Sequence, residues 1–333
     1  MRKPIKYINS ILASSLILMA CACDPDGVDS LSFNVRTEGG VTTVKTDEEI
    51  HFLIDGNADY ITFYSGEDGN NYDNKSRTEA EIASLTLSCN IKQQYNDLSY
   101  WNKEIIHAYI STDFSGVYTP EELSKATWTP ISGNEYGHLP MPMATAASAA
   151  ETSGTVDLSL FTNINKNFYV AFQYNAEGRD AIPEANGNNK YTNRPRVDIT
   201  NLKMQKTTTD GQVIDITDAI KEWAFRPIYQ QSSTMTNYQV SDNSLLFQPQ
   251  KATLNAEGKE PNEVVWMVSQ NINPRSVESD RGTAIQSIEA RLNKYSYSYR
   301  KAGTYTATFV AKNANMWESK ATVRKLTIVV QEP

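Results

Sequence analysis

The chain has 333 residues, with 31 Lys+Arg against 39 Asp+Glu for a formal net charge of −8, and 40% of its residues are hydrophobic. That balance disfavours nucleic acid and anionic membrane surfaces as partners, because both select clustered positive charge. With only three cysteines and three histidines, the body has no disulfide framework and no zinc-spaced ligand set.

Residues 1–20 carry Arg2, Lys3 and Lys6 and then a mostly apolar stretch from Ile8 to Ala20. The stretch is too short, and too interrupted by Asn9, Ser10, Ser14 and Ser15, to span a bilayer. It reads as a secretory signal peptide. Leu18-Met19-Ala20-Cys21 resembles a bacterial lipobox, which implies lipidation of Cys21 as the first mature residue. Cys23, after Ala20-Cys21-Ala22, is the alternative, and an ordinary cleaved signal is the competing reading. Several acyl chains give stable anchoring where one is marginal. Removing residues 1–20 takes three positive charges and no acid, so the net charge moves from −8 to −11. Residues 21–28, with Asp24-Pro25-Asp26-Gly27, form a short tether. Asp29-Ser30-Leu31 resembles the three-residue O-glycosylation signal of Bacteroidota.

Strand signals follow. Leu31, Phe33 and Val35 alternate, Gly39-Gly40 turns the chain, and Ile50, Phe52 and Ile54 alternate again. After Asp55-Gly56-Asn57, Tyr60–Gly66 reads as a further strand. Two polar runs, Asp55, Asn57, Asp59 and Asp68, Asn70, Asp73, are candidate hard-cation ligands. Neither has the glycine and distal glutamate of an EF-hand loop, so a polar turn capped by its own side chains is the leading reading of both. No cofactor is expected, calcium at these runs being the one alternative.

Residues 80–260 hold short alternating runs separated by polar turns, the profile of an all-β sandwich. Leu85, Leu87, Cys89 and Ile91 share one face, which makes Cys89 a core residue rather than a nucleophile. Ile105–Ile110 is a strand, and Glu121–Ala126 one helical turn before Trp128. Asn167–Tyr174 is apolar on both faces, as a central strand is. Val197–Met204, Leu245–Phe247 and Val264–Val268 are later strands, with Trp266 in the core. The long irregular stretches are 140–152 and 175–195. Ile285, Ile288 and Leu292 fit a helical turn and a bent strand equally. Tyr295, Tyr297 and Tyr299 alternate, and Lys301-Ala302-Gly303 breaks the run. Tyr305, Ala307, Phe309 and Ala311 then face one way, with Thr304, Thr306 and Thr308 on a solvated face, and Leu326, Ile328 and Val330 close the chain.

The pattern Tyr-x-Tyr followed by Ala-Gly-Thr-Tyr-Thr-Ala-Thr-Phe-Val-Ala (302–311) resembles the second half of a PKD domain, an Ig-like sandwich. The strands of 31–66 resemble its opening half. The expected organisation is therefore a PKD/Ig-like β-sandwich built from residues 29–78 and 290–331, with 79–289 inserted as a second sandwich. In that insert, Ser111–Gly116 and Val156–Ser159 before Ala171-Phe172-Gln173-Tyr174 resemble galactose-binding-like jelly rolls. Phe63–Tyr72, with Arg77, resembles a family of Bacteroidota surface lipoproteins of unknown function that sit beside SusC/SusD-type glycan import systems. That resemblance implies a lipid-anchored outer-membrane protein, exposed at the cell surface, in a polysaccharide-utilisation system.

No metalloprotease helix, phosphate loop, nucleotide fingerprint or serine elbow is present, so a non-catalytic protein is expected. The leading reading is binding of a polysaccharide or oligosaccharide, because sugar sites on β-sandwiches pair aromatic faces with amides and acids. Trp101, Trp128, Tyr136, Trp223 and Trp317 are the candidate rings, Trp101 foremost because of its loop position. A protein-interaction or adhesin subunit docked to an outer-membrane complex is the second reading. A glycoside hydrolase, which needs only two carboxylates, is the third.

Overall fold

A computed structural model describes residues 27–178, 182–183, 189–190, 194–217, 219–231, 237–249 and 259–333. Cys21 and Cys23, and most of 179–193, lie outside the described residues. The chain divides into two compact units: unit 1 is formed by residues up to Ser76 together with Asp280–Pro333, and unit 2 by Arg77–Ser279.

Unit 1 opens with β1 (Phe33–Thr37), β2 (Thr43–Lys45), β3 (Glu49–Gly56) and β4 (Tyr60–Tyr64). In unit 2 the chain forms β5 (Ile82–Gln94), β6 (Ile106–Ser111), α1 (Pro120–Lys125), β7 (Thr129–Pro130), β8 (Ala150–Asp157), β9 (Tyr169–Ala176), β10 (Ile182–Pro183), β11 (Asn189–Lys190), β12 (Arg196–Thr208), β13 (Val213–Asp215), β14 (Arg226–Gln231), β15 (Asn237–Val240), β16 (Ser244–Gln248) and β17 (Glu263–Val268). It closes unit 1 with β18 (Thr283–Gln286), β19 (Lys294–Ser298), β20 (Gly303–Ala314) and β21 (Ser319–Gln331). The fold is all-β.

Unit 1 is a sandwich of a three-stranded sheet, β1-β3-β19, and a five-stranded sheet, β18-β4-β20-β21-β2. Phe33, Val35, Ile50, Phe52 and Ile54 from the first sheet meet Ile61, Phe63, Ala307, Phe309, Ala311 and Ile328 from the second in one buried cluster. Phe309 lies 5.0 Å from the Phe52 ring and 4.9 Å from the Phe63 ring. Burying each such side chain contributes roughly 1.5–3 kcal/mol. Two expectations are corrected. Residues 283–286, assigned above to the insert, form β18 and pair with β4 of the frame (Thr283 opposite Phe63). Thr308 is not on a solvated face but 1% exposed. The outer side of the sheet there carries the 3-10 turn Tyr72–Asn74, with Tyr72 edge-on to Tyr64 at 5.4 Å. Lys325, opposite Thr308 in register, holds Asp73 at 2.7 Å.

Unit 2 is also a sandwich. Its six-stranded sheet runs β15-β16-β12-β5-β8, with β13 on β12, and its five-stranded sheet runs β14-β17-β9-β6-β7. Leu85, Leu87, Cys89 and Ile91 of β5 and Val197 and Ile199 of β12 face Ile106, Ala108, Val170, Phe172, Val265 and Met267 from the second sheet in one core. The alternation of β12 is not continuous. Asn201 is left-handed (φ 50), and the register gains one residue between Thr200 and Lys203. This bulge keeps Leu202 and Met204 inward where strict alternation from Val197 and Ile199 would turn them to solvent. β9 is central, and its second face is covered as well. Tyr169 and Ala171 join Phe114, Leu123, Ile228, Trp266 and Val268 under the segment that carries α1. That helix starts on Thr119, whose hydroxyl accepts the Glu122 amide, with Pro120 in the first turn. Residues 140–152 are less irregular than expected, because 150–152 already belong to β8 and Met141 and Ala144 are buried.

Candidate functional site

The five ring candidates have different surroundings. Trp223 is 1% exposed and stacks on Phe225 at 5.7 Å, so it is a core residue and is withdrawn as a sugar platform. Trp128 is half-buried; its Nε1 donates to the Leu123 carbonyl, and its ring lies 5.3 Å from Trp266 and 5.5 Å from Phe114. Trp101 ends the 3-10 turn Leu98–Tyr100, half-buried. Tyr136 is fully exposed, and Trp317 is 68% exposed at the β20–β21 turn. Among the described residues no ring contact joins any two of the five.

The calcium candidates do not converge either. The Asn70 side chain is used twice inside the loop, its Oδ1 accepting the Ser65 amide and its Nδ2 donating to the Arg281 carbonyl. Asp73 is taken by Lys325. Asn57 holds Ser32 and Ser30 of the incoming chain. Among the described residues no group of three His, Cys, Asp or Glu is placed to hold a metal ion.

The loop Ser65–Asn71 is nonetheless a built structure. Gly66 has φ +88, and a Cβ there would meet the Thr306 amide nitrogen at 2.7 Å, so this close approach to β20 requires glycine. Glu67, Asp68, Tyr297, Arg300, Lys301 and Tyr305 line a concavity of about 630 Å³ beside it. The Tyr297 hydroxyl donates to Glu67, and burial, followed by that carboxylate, pushes its pKa up to about 12.

A second concavity, of about 570 Å³, lies on the outer face of the six-stranded sheet of unit 2. The alternation that sends Leu87, Cys89 and Ile91 inward sends Asn90, Lys92 and Gln94 outward on β5. The same rule points Arg196, Asp198 and Thr200 outward on β12, and Glu151 and Ser153 on β8. Register aligns them in rows, with Glu151, Lys92 and Asp198 in one and Ser153, Asn90 and Thr200 in the next. Arg196 grips Asp198 through Nε at 2.9 Å and Nη2 at 2.7 Å, and Gln94 Nε2 donates to the same carboxylate at 2.7 Å. This bond to Asp198 raises the Arg196 pKa further. Lys92 pairs with Glu151. Two cations thus meet two anions, and the floor is neutral. Arg196 Nη1, the Asn90 amide, the Gln94 carbonyl oxygen and the Ser153 and Thr200 hydroxyls keep free hydrogen-bonding capacity among the described residues.

Tyr95 follows directly at the end of β5. Its backbone is left-handed (φ 58) and its side chain 61% exposed. It comes directly after Gln94, whose side chain donates to Asp198. A tyrosine in this conformation costs of order 1 kcal/mol or more that its own burial does not offset, a pattern common where the surface is used. Outward positions were visible in the alternation. The pairing of residue 94 with residue 196, which builds the site, was not.

Cys89 takes no part in any site. It is 3% exposed, and burial raises its pKa to about 12. At pH 8 only about one thiol in ten thousand is ionised. Iodoacetamide is therefore expected to leave Cys89 unmodified in the native protein and to label it stoichiometrically in urea. Rapid labelling without denaturant would contradict its placement.

Residues 22–224 match the sequence model of a family described as a domain of unknown function, DUF5017. Among curated proteins nothing matches. Among solved structures, a crystal structure of a Salmonella alpha-2-macroglobulin mutant aligns with 90% of this chain and 16% of its own length, at 9% identity and a TM-score of 0.09. At that score the likeness carries no argument. The family match takes in well over half of the sequence and includes β1–β4 and the strands β5, β8 and β12 that carry the neutral floor. The chain therefore belongs to the DUF5017 family, a domain of unknown function.

Proposed function

We propose that this is a non-catalytic, lipid-anchored protein of the outer-membrane surface that binds a neutral polysaccharide or oligosaccharide, as an accessory of a SusC/SusD-type import system. The anchor reading comes from the lipobox-like Leu18–Cys21. The observation that carries the glycan reading is the charge-neutral floor on unit 2, where Gln94 joins the Arg196–Asp198 fork and is followed in the chain by the exposed Tyr95. Sugar hydroxyls are uncharged donors and acceptors. A floor of paired charges and amides offers them planar partners without attracting anions, and a nearby ring covers the apolar face of the pyranose.

Affinity electrophoresis against a panel of polysaccharides tests this. Retarded migration is expected in at least one neutral gel. Arg196→Ala removes charge-assisted bonds worth roughly 1.5–3 kcal/mol each, and so should weaken retention about ten- to a hundredfold. Tyr95→Ala should weaken it less, and Trp223→Phe not at all if the fold is kept. Retention in no gel, or retention unchanged in both site variants, would refute the reading. The first outcome, with co-purification of a membrane protein, would favour an adhesin or docking subunit. Release of reducing sugar would indicate a hydrolase.

A further inference from the structure

The exposed apolar side chains of unit 1 are not scattered. Its large exposed hydrophobics are Val41, Tyr60, Ile288, Met316 and Trp317. All but Val41 lie at one end of the sandwich. Met316 (83% exposed) and Trp317 (68%) form the tip of the β20–β21 hairpin, where Asn315 accepts both the Trp317 and the Glu318 amides. The β3–β4 turn adjoins that tip: the Asn313 side chain accepts the Asp59 amide, and Tyr60 pairs with Lys312. Ile288 sits in the turn Ser287–Ala290 just after Gln286, whose Nε2 donates to the Ala58 carbonyl in that same β3–β4 turn. The loop Ser65–Asn71, packed where β20 begins, is at the other end.

The chain also enters unit 1 at this apolar end. The Val28 amide donates to the Glu318 carboxylate at 3.1 Å, and the Val28 carbonyl accepts from the Lys320 ammonium. Both partners flank the hairpin tip. Val28 is only seven positions on from Cys21 and five on from Cys23. At ~3.3–3.6 Å per residue, even a fully extended link reaches no further than about 25 Å.

We infer that this end of unit 1 is a membrane-contact surface, on which Trp317 and Met316, flanked by Ile288 and Tyr60, enter the headgroup region of the lipid layer that holds the acylated cysteine. The inference rests on the anchor reading proposed above. Tryptophan and tyrosine favour the membrane interface because one side of the ring is apolar and the other polar. A protein already tethered within ~25 Å of the surface presents these groups at high effective concentration, so insertion of a few apolar side chains suffices. No cluster of basic residues is needed, which agrees with the acidic balance of the chain.

The full chain, extracted from membranes and reconstituted in phosphatidylcholine vesicles containing brominated lipid, provides the test. Mass analysis of its N-terminal peptide reports separately whether Cys21 or Cys23 is acylated. Tryptophan fluorescence is expected to be quenched by bromolipid, and Trp317→Phe should remove most of that quenching. Trp101→Phe should leave it in place. An acylated protein whose fluorescence is unaffected by bromolipid, or equally quenched after Trp317→Phe, overturns the contact surface and leaves the anchor standing. A protein without acyl chains overturns the anchor and, with it, the proximity on which the contact depends.

Discussion

Phe309→Ala is expected to destabilise unit 1 by about 3–5 kcal/mol and to leave the unfolding of unit 2 where it was. The Phe309 side chain is fully buried and touches rings from β3 and β4, Phe52 at 5.0 Å and Phe63 at 4.9 Å. Truncation removes its transfer energy and leaves a cavity between two sheets that cannot close over it. Phe309 belongs to the last quarter of the chain, whereas Phe52 and Phe63 belong to its first quarter. The loss is therefore felt only if both ends share one core. Phe172→Ala is the matched variant in unit 2, where Phe172 is equally buried and lies 6.0 Å from the Phe225 ring. Scanning calorimetry should show two transitions. In a unit of about a hundred residues, 3 kcal/mol is expected to lower a midpoint by more than about 10 °C. Phe309→Ala should move one transition and Phe172→Ala the other. A single transition that shifts alike in both variants, or no response to Phe309→Ala, would defeat the division into two separately cored bodies.

Period-two alternation made much of this architecture legible. Tyr305, Ala307, Phe309 and Ala311 announce an inward face without reference to anything else, and so do Leu85, Leu87, Cys89 and Ile91. Asn167–Tyr174, apolar on both sides, announced a strand covered twice. The failures have physical causes. Thr308 is buried by a turn more than 230 residues earlier in the chain, which no local pattern encodes. The Asn201 bulge breaks the period of β12 in the middle of a strand that reads as continuous. Trp223 sits in the 3-10 segment Ile220–Trp223, followed by left-handed Ala224, so it has no strand phase from which burial is read. Most of the floor residues of unit 2 are ordinary polar positions on outward faces. They become a site only through the pairing of β5 with β8 and β12, contacts that span sixty to more than a hundred residues.

The family match ends where the folding argument does not. Beyond residue 224 lie β20, which pairs with β4, and β17, which pairs with β9. Both β4 and β9 are interior strands of their sheets. The segment recognised as a family thus contains β4, whose partners β18 and β20 both lie outside it, and β9, one edge of which is paired only by β17, and an unpaired buried backbone group costs as much as a lost hydrogen bond. The sequence that identifies the family and the sequence that completes its two cores are different stretches of one chain.

Arg194→Met is expected to cost unit 2 about 3–5 kcal/mol, a loss comparable to the core truncations although no apolar contact is removed. Both side chains of the Arg194–Glu263 pair are wholly buried. Arg194 Nη1 donates to Glu263, and Nη2 to the Pro261 carbonyl. Arg194 lies just ahead of β12 in the six-stranded sheet, and Glu263 opens β17 in the five-stranded sheet, so the pair clips one sheet to the other at that edge of the core. Nearby, the Tyr174 hydroxyl donates to the Pro195 carbonyl at 2.8 Å, and burial raises the Tyr174 pKa well above its usual value. Removing the cation takes the compensation of the Arg194 charge away from a buried carboxylate, and that loss is the source of the penalty. Removing both charges together is different, because the desolvation of each ion disappears with it. The double variant Arg194→Met with Glu263→Leu should therefore recover most of the loss, and a double-mutant cycle in urea should return a coupling of roughly 2 kcal/mol or more. If the double variant is instead destabilised by the sum of the two single effects, the pair acts through packing alone and the electrostatic clip does not exist.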